Sequence, residues 1–397
     1  MHYSSRKLLR LLVVCTTLIV LAFHAAAQAQ LPHVAPAEAK FNAEKLAEID
    51  TVVAAALEAG KMPGGVVCIG RHGKIALLKA YGDRAVEPAK LPMTTDTVFD
   101  LASLTKPLAT GLSAMLLVEQ GKLKLQEPVA TYLPEFATQG KEQVTVEQLL
   151  IHTSGLIADN ALADYRDGPE KAIERVLALK LQSPPGERFA YSDVGFIVLA
   201  EVVKKVSGKN VHDFSQEHIF QPLGMRETTY LPGESLRQRS APTEKRGDAW
   251  IQGEVHDPRA HLLGGIAGHA GLFSTAEDLA LLASNLLSKS EGGMLKDATL
   301  QEMISPRKVP ARRRDGTMYA GLRGLGWDMQ SGYSINRGEK MSERAFGHGG
   351  FTGTGIWIDP GHDLFVIFLS NRVHPGGKGD VNLLIGRIGT IAVVSGQ

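Results

Sequence analysis

Disulfide partners, aromatic bulk and net charge are all scarce in this chain of 397 residues. It has two cysteines, 6% Phe, Trp and Tyr, and 43 Lys plus Arg against 42 Asp plus Glu, for a formal charge of +1. Two cysteines cannot staple so long a chain, so its stability has to come from a buried core. Balanced, interspersed charge offers a polyanion no extended field, which removes the case for nucleic-acid binding. With 44% hydrophobic residues, 42 Gly and 19 Pro, collagen-like repeats and global disorder are excluded as well. After the first thirty residues no apolar stretch reaches the roughly 18 residues of a membrane span. What the chain does have is ample Leu, Ile, Val and Ala and enough length for roughly two or three domains. That composition describes a globular protein, most simply an enzyme.

The N-terminus reads as a targeting segment. Arg6, Lys7 and Arg10 precede an apolar run from Leu11 to Phe23, followed by the small residues Ala25, Ala27 and Ala29. Residues 1–29 are therefore expected to be a signal peptide of an exported protein, periplasmic or secreted, with no stable transmembrane segment after cleavage. The competing reading is an uncleaved anchor. Cys15 falls in this run, behind Leu-Val-Val, a poor match to a lipidation site, and Cys68 is then alone in the mature chain.

After a Pro/Ala-rich linker, Leu46, Ile49, Val52, Val53 and Leu57 mark one face of a helix that opens at Phe41-Asn42-Ala43-Glu44. Val66–Ile69 and Ile75–Leu78 flank Arg71-His72-Gly73-Lys74, a hairpin signal. From Leu101 to Leu123, and in segments through residue 290, the pattern is mainly helical. Strand character returns at Gly353–Asp359 and Leu364–Arg372 around the turn Pro360-Gly361-His362-Asp363, and Val381–Val394 reads as a closing helix. The expected fold is α/β: a sheet flanked by helices and assembled from residues 30–115 and 290–397, with a mainly helical domain, 116–289, inserted. A cleft belongs at their interface.

Attack on a carbonyl needs a nucleophile, a base and donors for the oxyanion. Ser-x-x-Lys on a helix places the first two on one face. The pattern occurs at Ser4…Lys7, Ser103…Lys106 and Ser305…Lys308. The first lies in the targeting segment and the third is interrupted by Pro306. Ser103-Leu104-Thr105-Lys106-Pro107 runs into the apolar stretch Leu108–Val118, and Pro107 puts Ser103 in or beside a helix's first turn. A capping serine with a solvated lysine is the ordinary alternative.

Further along stand Leu149-Leu150-Ile151-His152-Thr153-Ser154-Gly155, then Pro185-Gly186-Glu187-Arg188-Phe189-Ala190-Tyr191-Ser192-Asp193, then Gly347-His348-Gly349-Gly350-Phe351 before a strand. In that order they resemble the penicillin-recognising serine hydrolases: class C β-lactamases, D-alanyl-D-alanine carboxypeptidases, D-aminopeptidases and related esterases. The resemblance runs from about Phe41 to Val394 and implies an antiparallel sheet flanked by helices with an inserted helical domain. It implies that Ser103 is the acylated nucleophile, Lys106 its base partner and Tyr191 the phenol that shuttles a proton to the leaving group. It also implies that His348, Gly349, Gly350 and Phe351 line the substrate, the glycines leaving room for its backbone and the Phe351 N–H joining that of Ser103 in an oxyanion hole. His269-Ala270-Gly271 is a second His-x-Gly. It precedes a helix start with Ser274 or Thr275 as cap, so His269, like His152, is expected to serve packing and loop-fixing.

Two positions depart from the family pattern. Asp193 stands where Asn is usual, and a carboxylate cannot donate to a substrate carbonyl. It can pair with Lys106, raising its pKa, or receive a cationic substrate group, so the activity is expected to move to higher pH and away from β-lactams. His348 stands where Lys-Thr-Gly would bring a permanent charge, which weakens recognition of a carboxylate near neutral pH; Arg372 is a candidate substitute cation. His256, Asp257, His261 and His269 are close in sequence but do not match a standard zinc spacing. A serine mechanism calls for no metal or cofactor. The expected function is acyl-enzyme hydrolysis of a D-amino-acid peptide or small ester of the cell envelope, with a peptidoglycan-derived substrate as the candidate. The alternatives are a β-lactamase and a non-hydrolysing envelope binding or sensing module.

Overall fold

The structure, a computed structural model, describes residues 30–288, 293–313 and 315–397. The expected signal peptide, with Cys15, lies outside the described residues. No helix among the described residues is long and apolar enough to cross a membrane.

The frame is an antiparallel sheet. Its strands are β1 (Gly64–Arg71), β2 (Lys74–Ala85), β3 (Leu91–Pro92), β4 (Arg307–Arg312), β5 (Met318–Arg323), β6 (Asp328–Gln330), β7 (Phe346–Gly350), β8 (Thr354–Asp359) and β9 (Leu364–Ser370). They lie in the order β3-β2-β1-β9-β8-β7-β6-β5-β4. The join between the two ends of the chain is β1 against β9, with Gly65 opposite Ser370 and Arg71 opposite Leu364. The hairpins β1–β2 and β8–β9 form where the β-branched runs and turns foretell them. β4, β5 and β6 carry no such signal and extend the sheet past β7.

Both faces of the central strands are covered, so those strands read as unbroken apolar runs rather than alternating ones. Val67, Ile69, Trp357, Val366 and Phe368 point to one side, against Leu46, Ile49 and Val53 of α1 (Ala43–Glu58) and Ile385 and Ile388 of the closing helix Asn382–Ser395. Asn42 caps α1 by accepting from the Lys45 N–H at 3.0 Å. Val66, Cys68, Ile356, Ile358, Ile367 and Leu369 point to the other side. There they meet a larger core built with α2 (Leu112–Glu119), α3 (Asp193–Ser207) and α4 (Ala276–Leu287). Each fully buried Leu, Ile or Phe contributes on the order of 1.5–3 kcal/mol. A short three-stranded sheet, with Leu272–Ser274 between Phe99–Asp100 and Thr229–Tyr230, ties the segment before Ser103 to the segment after His269.

Candidate active site

Ser103 lies in the tight turn Ala102–Leu104, just before the π-helical stretch Lys106–Gly111 that α2 continues. Ala102 sits at φ 46°, a left-handed conformation that a residue with a Cβ adopts only when its surroundings demand it. Its N–H donates to Asp100 Oδ1 at 2.8 Å. Thr352 and Thr354 clamp the same turn from the sheet, donating to the Asp100 carbonyl at 2.7 Å and the Leu101 carbonyl at 3.1 Å. A Cβ at Gly350 would stand 2.5 Å from the Leu101 carbonyl, and one at Gly349 would stand 2.5 Å from Asn336 Nδ2. The small residues thus let β7 close onto the nucleophile turn and onto Asn336.

Lys106 is fully buried. Its Nζ donates to Ser103 Oγ at 3.0 Å and to the His269 carbonyl at 3.1 Å and forms an ion pair with Asp193 Oδ1 at 2.6 Å. It also stands 4.9 Å from the centre of the Tyr191 ring. Burial works against the ammonium, but Asp193 and then Tyr191 outweigh it and hold the lysine above its ordinary range. Asp193 is delivered by a helix start: Ser192 caps α3 by accepting from the Gly195 N–H at 3.0 Å, and Asp193 occupies the first turn, where the helix dipole favours an anion.

Tyr191 precedes that cap. Its ring is held between Tyr333, stacked at 4.8 Å, and His152, at 4.4 Å. Burial raises its phenol above the usual value, while the Lys106 charge and hydrogen bonds with Lys106 and Ser103 pull the other way. Behind it His152 accepts from the Ser192 N–H at 3.0 Å, and burial together with Arg323 and Lys106 keeps it neutral, well below its ordinary pKa. His152 therefore packs, as expected.

His269 does more than pack. Its carbonyl is the third partner of Lys106, and its Nε2 lies 3.0 Å from Asp257 Oδ1. Burial pushes Asp257 up, but His269 and the Ala260 N–H outweigh it and the carboxyl stays below the usual range. A Cβ at Gly268 would come within 2.0 Å of the Phe196 carbonyl, so glycine there brings this segment against α3. Asp193, Asp257 and His269 bring their ligand atoms within 4.8 Å of one another. His256 and His261 do not join them: His256 Nε2 is 2.7 Å from Glu244, and His261 Nδ1 is 3.1 Å from Arg246. Asp193 is already engaged by Lys106.

His348 lies on β7 with its Nδ1 2.7 Å from the Gly349 carbonyl, so that nitrogen carries the hydrogen. Burial, Arg323 and Lys106 push its pKa well below that of a free histidine. It is a neutral group, not a titrating stand-in for lysine. Arg372 lines the same cavity as Ser103; its Nη1 donates to the Gly379 carbonyl at 2.5 Å, and its guanidinium lies 4.7 Å from the centre of the Phe351 ring. Phe351, 59% exposed, also stacks on His256 at 5.6 Å.

Two cavities meet at Ser103, Tyr191, Tyr333 and Phe351. The larger, about 1190 Å³, is lined by Asp159, Asp193, Glu244, His256, Asp257 and Trp250. The smaller, about 310 Å³, is lined by His348, Asn336, Ile335, Arg372 and Ile385. Arg323, fully buried on β5, reaches toward the same wall. It lies 5.3 Å from the Phe189 ring centre and donates to Asp328 Oδ1 at 3.2 Å; Asp328 in turn accepts from Ser331 and Ser334 and so fixes the turn that carries Tyr333. Neither Arg323 nor Tyr333 belongs to a sequence motif. Asp257 does carry a readable helix-cap signal, Asp-Pro, but nothing in that signal points to catalysis.

Residues 49–388 match the family described as Beta-lactamase. An N-acetylmuramyl-L-alanine amidase of Bacillus subtilis (strain 168) is 33% identical over 376 residues, covering 85% of this chain and 83% of the relative. A protein of Escherichia coli (strain K12), provisionally named D-alanyl-D-alanine carboxypeptidase, is 30% identical over 380 residues, 85% of each chain. Among solved structures, the hydrolase EstCE1 superposes with a TM-score of 0.72 at 24% identity, covering 88% of this chain and 99% of the other. A class C beta-lactamase superposes with a TM-score of 0.70 at 18% identity, covering 89% and 96%. At those identities the superpositions establish the fold.

Proposed function

The chain belongs to the Beta-lactamase family and is a serine hydrolase, and from that premise we propose that it cleaves an amide or ester of the cell envelope through an acyl-enzyme on Ser103. The observation that carries this reading is Lys106, a buried ammonium hydrogen-bonded to Ser103 and a carbonyl and paired with Asp193, beside the Tyr191 phenol. Asp193 and Tyr191 outweigh burial and keep Lys106 mostly as the ammonium, so the reactive form is the minority free amine. In that form the Lys106 amine takes the Ser103 proton as Oγ bonds to the carbonyl carbon. The N–H groups of Ser103 and Phe351 receive the oxyanion. Collapse breaks the bond to the leaving group, which takes its proton from Tyr191, and Lys106 restores that proton. Water then repeats the sequence on the acyl-enzyme.

The names of the relatives support a peptidoglycan-derived substrate, either an amide of a muramyl group or a D-alanyl peptide, and an exported location follows from such a substrate. The pairing of Asp193 with Lys106 disfavours efficient β-lactamase action, because the lysine is committed to a carboxylate before substrate arrives. The test is intact-mass detection of a Ser103 adduct after brief exposure to p-nitrophenyl acetate and to penicillin, with Ser103→Ala as control. The expected result is rapid acetylation and slow acylation by penicillin, both lost in the variant. Turnover of the ester by Ser103→Ala at the wild-type rate would overturn the assignment.

A further inference from the structure

The smaller cavity beside Ser103 has an unusual inventory for a site that would grip a carboxylate. His348 turns its Nδ1–H back onto the Gly349 carbonyl, which leaves Nε2 as a hydrogen-bond acceptor. Arg372, the arginine on its wall, is tied to the Gly379 carbonyl and stacked on Phe351, and its charge already faces Asp380 and Glu244. Asp328, the acid on the wall, is engaged by Arg323, Ser331 and Ser334. Lys106 and Arg323 are buried behind the wall and bound to carboxylates. The charges around the cavity are thus matched within the protein, and a bare carboxylate entering it would meet an acceptor nitrogen.

Its rim is apolar and exposed. Tyr333 is 54% exposed, Ile335 55% and Phe351 59%, and all three come from segments that meet at the mouth. Large apolar side chains left this exposed beside a nucleophile offer apolar surface to a ligand. Inside, the buried Asn336 amide lies over Gly349 and supplies a second polar group. A volume near 310 Å³ takes one ring-sized group, at the small end of ligand pockets.

We infer that this cavity is a specificity pocket for an uncharged, pyranose-sized group bearing hydroxyl and acylamino substituents, attached next to the scissile carbonyl. The C–H face of such a ring lies on Tyr333 and against the exposed edge of Phe351, a hydroxyl or amide N–H donates to His348 Nε2, and Asn336 pairs with the acylamino group. The inference rests on Ser103 being the acylated nucleophile and narrows that reading: the chain cleaves an amide of a sugar-bearing acid in preference to a D-alanyl peptide ending in a carboxylate.

The test compares kcat/KM for N-acetylmuramoyl-L-alanine amide, for lactoyl-L-alanine amide, which lacks the sugar, and for diacetyl-L-lysyl-D-alanyl-D-alanine, with p-nitrophenyl acetate as the reporter of Ser103 chemistry. The muramoyl amide is expected to exceed the lactoyl amide at least a hundredfold. Ile335→Trp, a substitution at an exposed position that fills the mouth, is expected to cut that ratio at least tenfold. As a binding measurement, Ser103→Ala is expected to bind methyl N-acetyl-glucosaminide in calorimetry. Equal rates for the two amides, or preference for the D-alanyl peptide while the ester still acylates Ser103, would overturn the pocket and leave the serine mechanism standing. Absence of any Ser103 adduct with the ester would remove both.

Discussion

Asp193 and Lys106 form the pair on which the site's chemistry turns, and they answer to a single substitution. Asp193→Asn removes the charge that outweighs burial at Lys106, so the lysine pKa falls and the free amine appears at lower pH. The pH at half-maximal acylation by p-nitrophenyl acetate is expected to move down by about one unit or more, read by stopped-flow absorbance; an unchanged profile would mean that Asp193 does not set the lysine's charge. Because the variant leaves a buried ammonium without its counterion, it is also expected to lose about 3 kcal/mol in urea unfolding at pH 7. Asp193 is one-fifth exposed, which puts the loss at the lower end of the range for a broken buried pair. The lysine's raised pKa stabilises the fold fully below the unfolded lysine value, and this contribution fades only as pH climbs through the folded one. Between pH 6 and 9 the wild-type lysine therefore adds no slope.

Helix starts do much of the positioning, and α4 shows what one of them costs. Thr275 caps it, and Asp278 in its first turn accepts from the Glu227 N–H and the Thr228 hydroxyl, both at 2.8 Å. Burial first, then the charges of Glu227 and Glu277, push this carboxyl up to about 6. A carboxyl raised in the folded state binds a proton that the unfolded chain has released, so stability falls as pH rises from about 4 to 6. Asp278→Asn keeps an acceptor for both donors and removes that loss. It is expected to be more stable than wild type by about 2–3 kcal/mol at pH 8 and equal to it near pH 4 in urea titrations. Elements of this kind also show what a sequence reveals. The strands of β1, β2, β8 and β9 are legible because apolar β-branched runs end in turn residues, and α1 because its period is helical. β4 is not: Arg307-Lys308-Val309-Pro310-Ala311-Arg312 is basic and holds a proline, tolerated because β4 is an edge strand with β5 as its one neighbour. Ser103, Lys106, Tyr191 and Asp193 are legible as motifs and do converge. The His269 carbonyl is invisible to pattern reading, since every residue offers a backbone acceptor. Arg323 and Asn336 reach the site through pairings of the unpredicted strands and turns.

At the scale of the whole molecule, β1 is enclosed by β2 on one side and β9 on the other, and Cys68 sits in its middle, opposite Leu78 and Ile367. It is fully buried, and burial with the charge of Glu277 raises its thiol far above the usual value. Since the thiolate is the reactive species, Cys68 reports separation of the sheet. In a chain beginning at Gln30, where it is the single thiol, disulfide-reagent labelling in native buffer is expected to be monophasic, with the rate and urea dependence of global unfolding. A faster phase would show that β1 parts from a neighbour while the rest stays folded. The same register bears on the order of assembly during synthesis. Arg71 and Leu364 are partners about 290 residues apart. At roughly 5–20 residues per second, the first hairpin waits on the order of 15–60 s before its other neighbour leaves the ribosome. Throughout that interval β1 presents an open, apolar edge, which closes only when the last strand arrives.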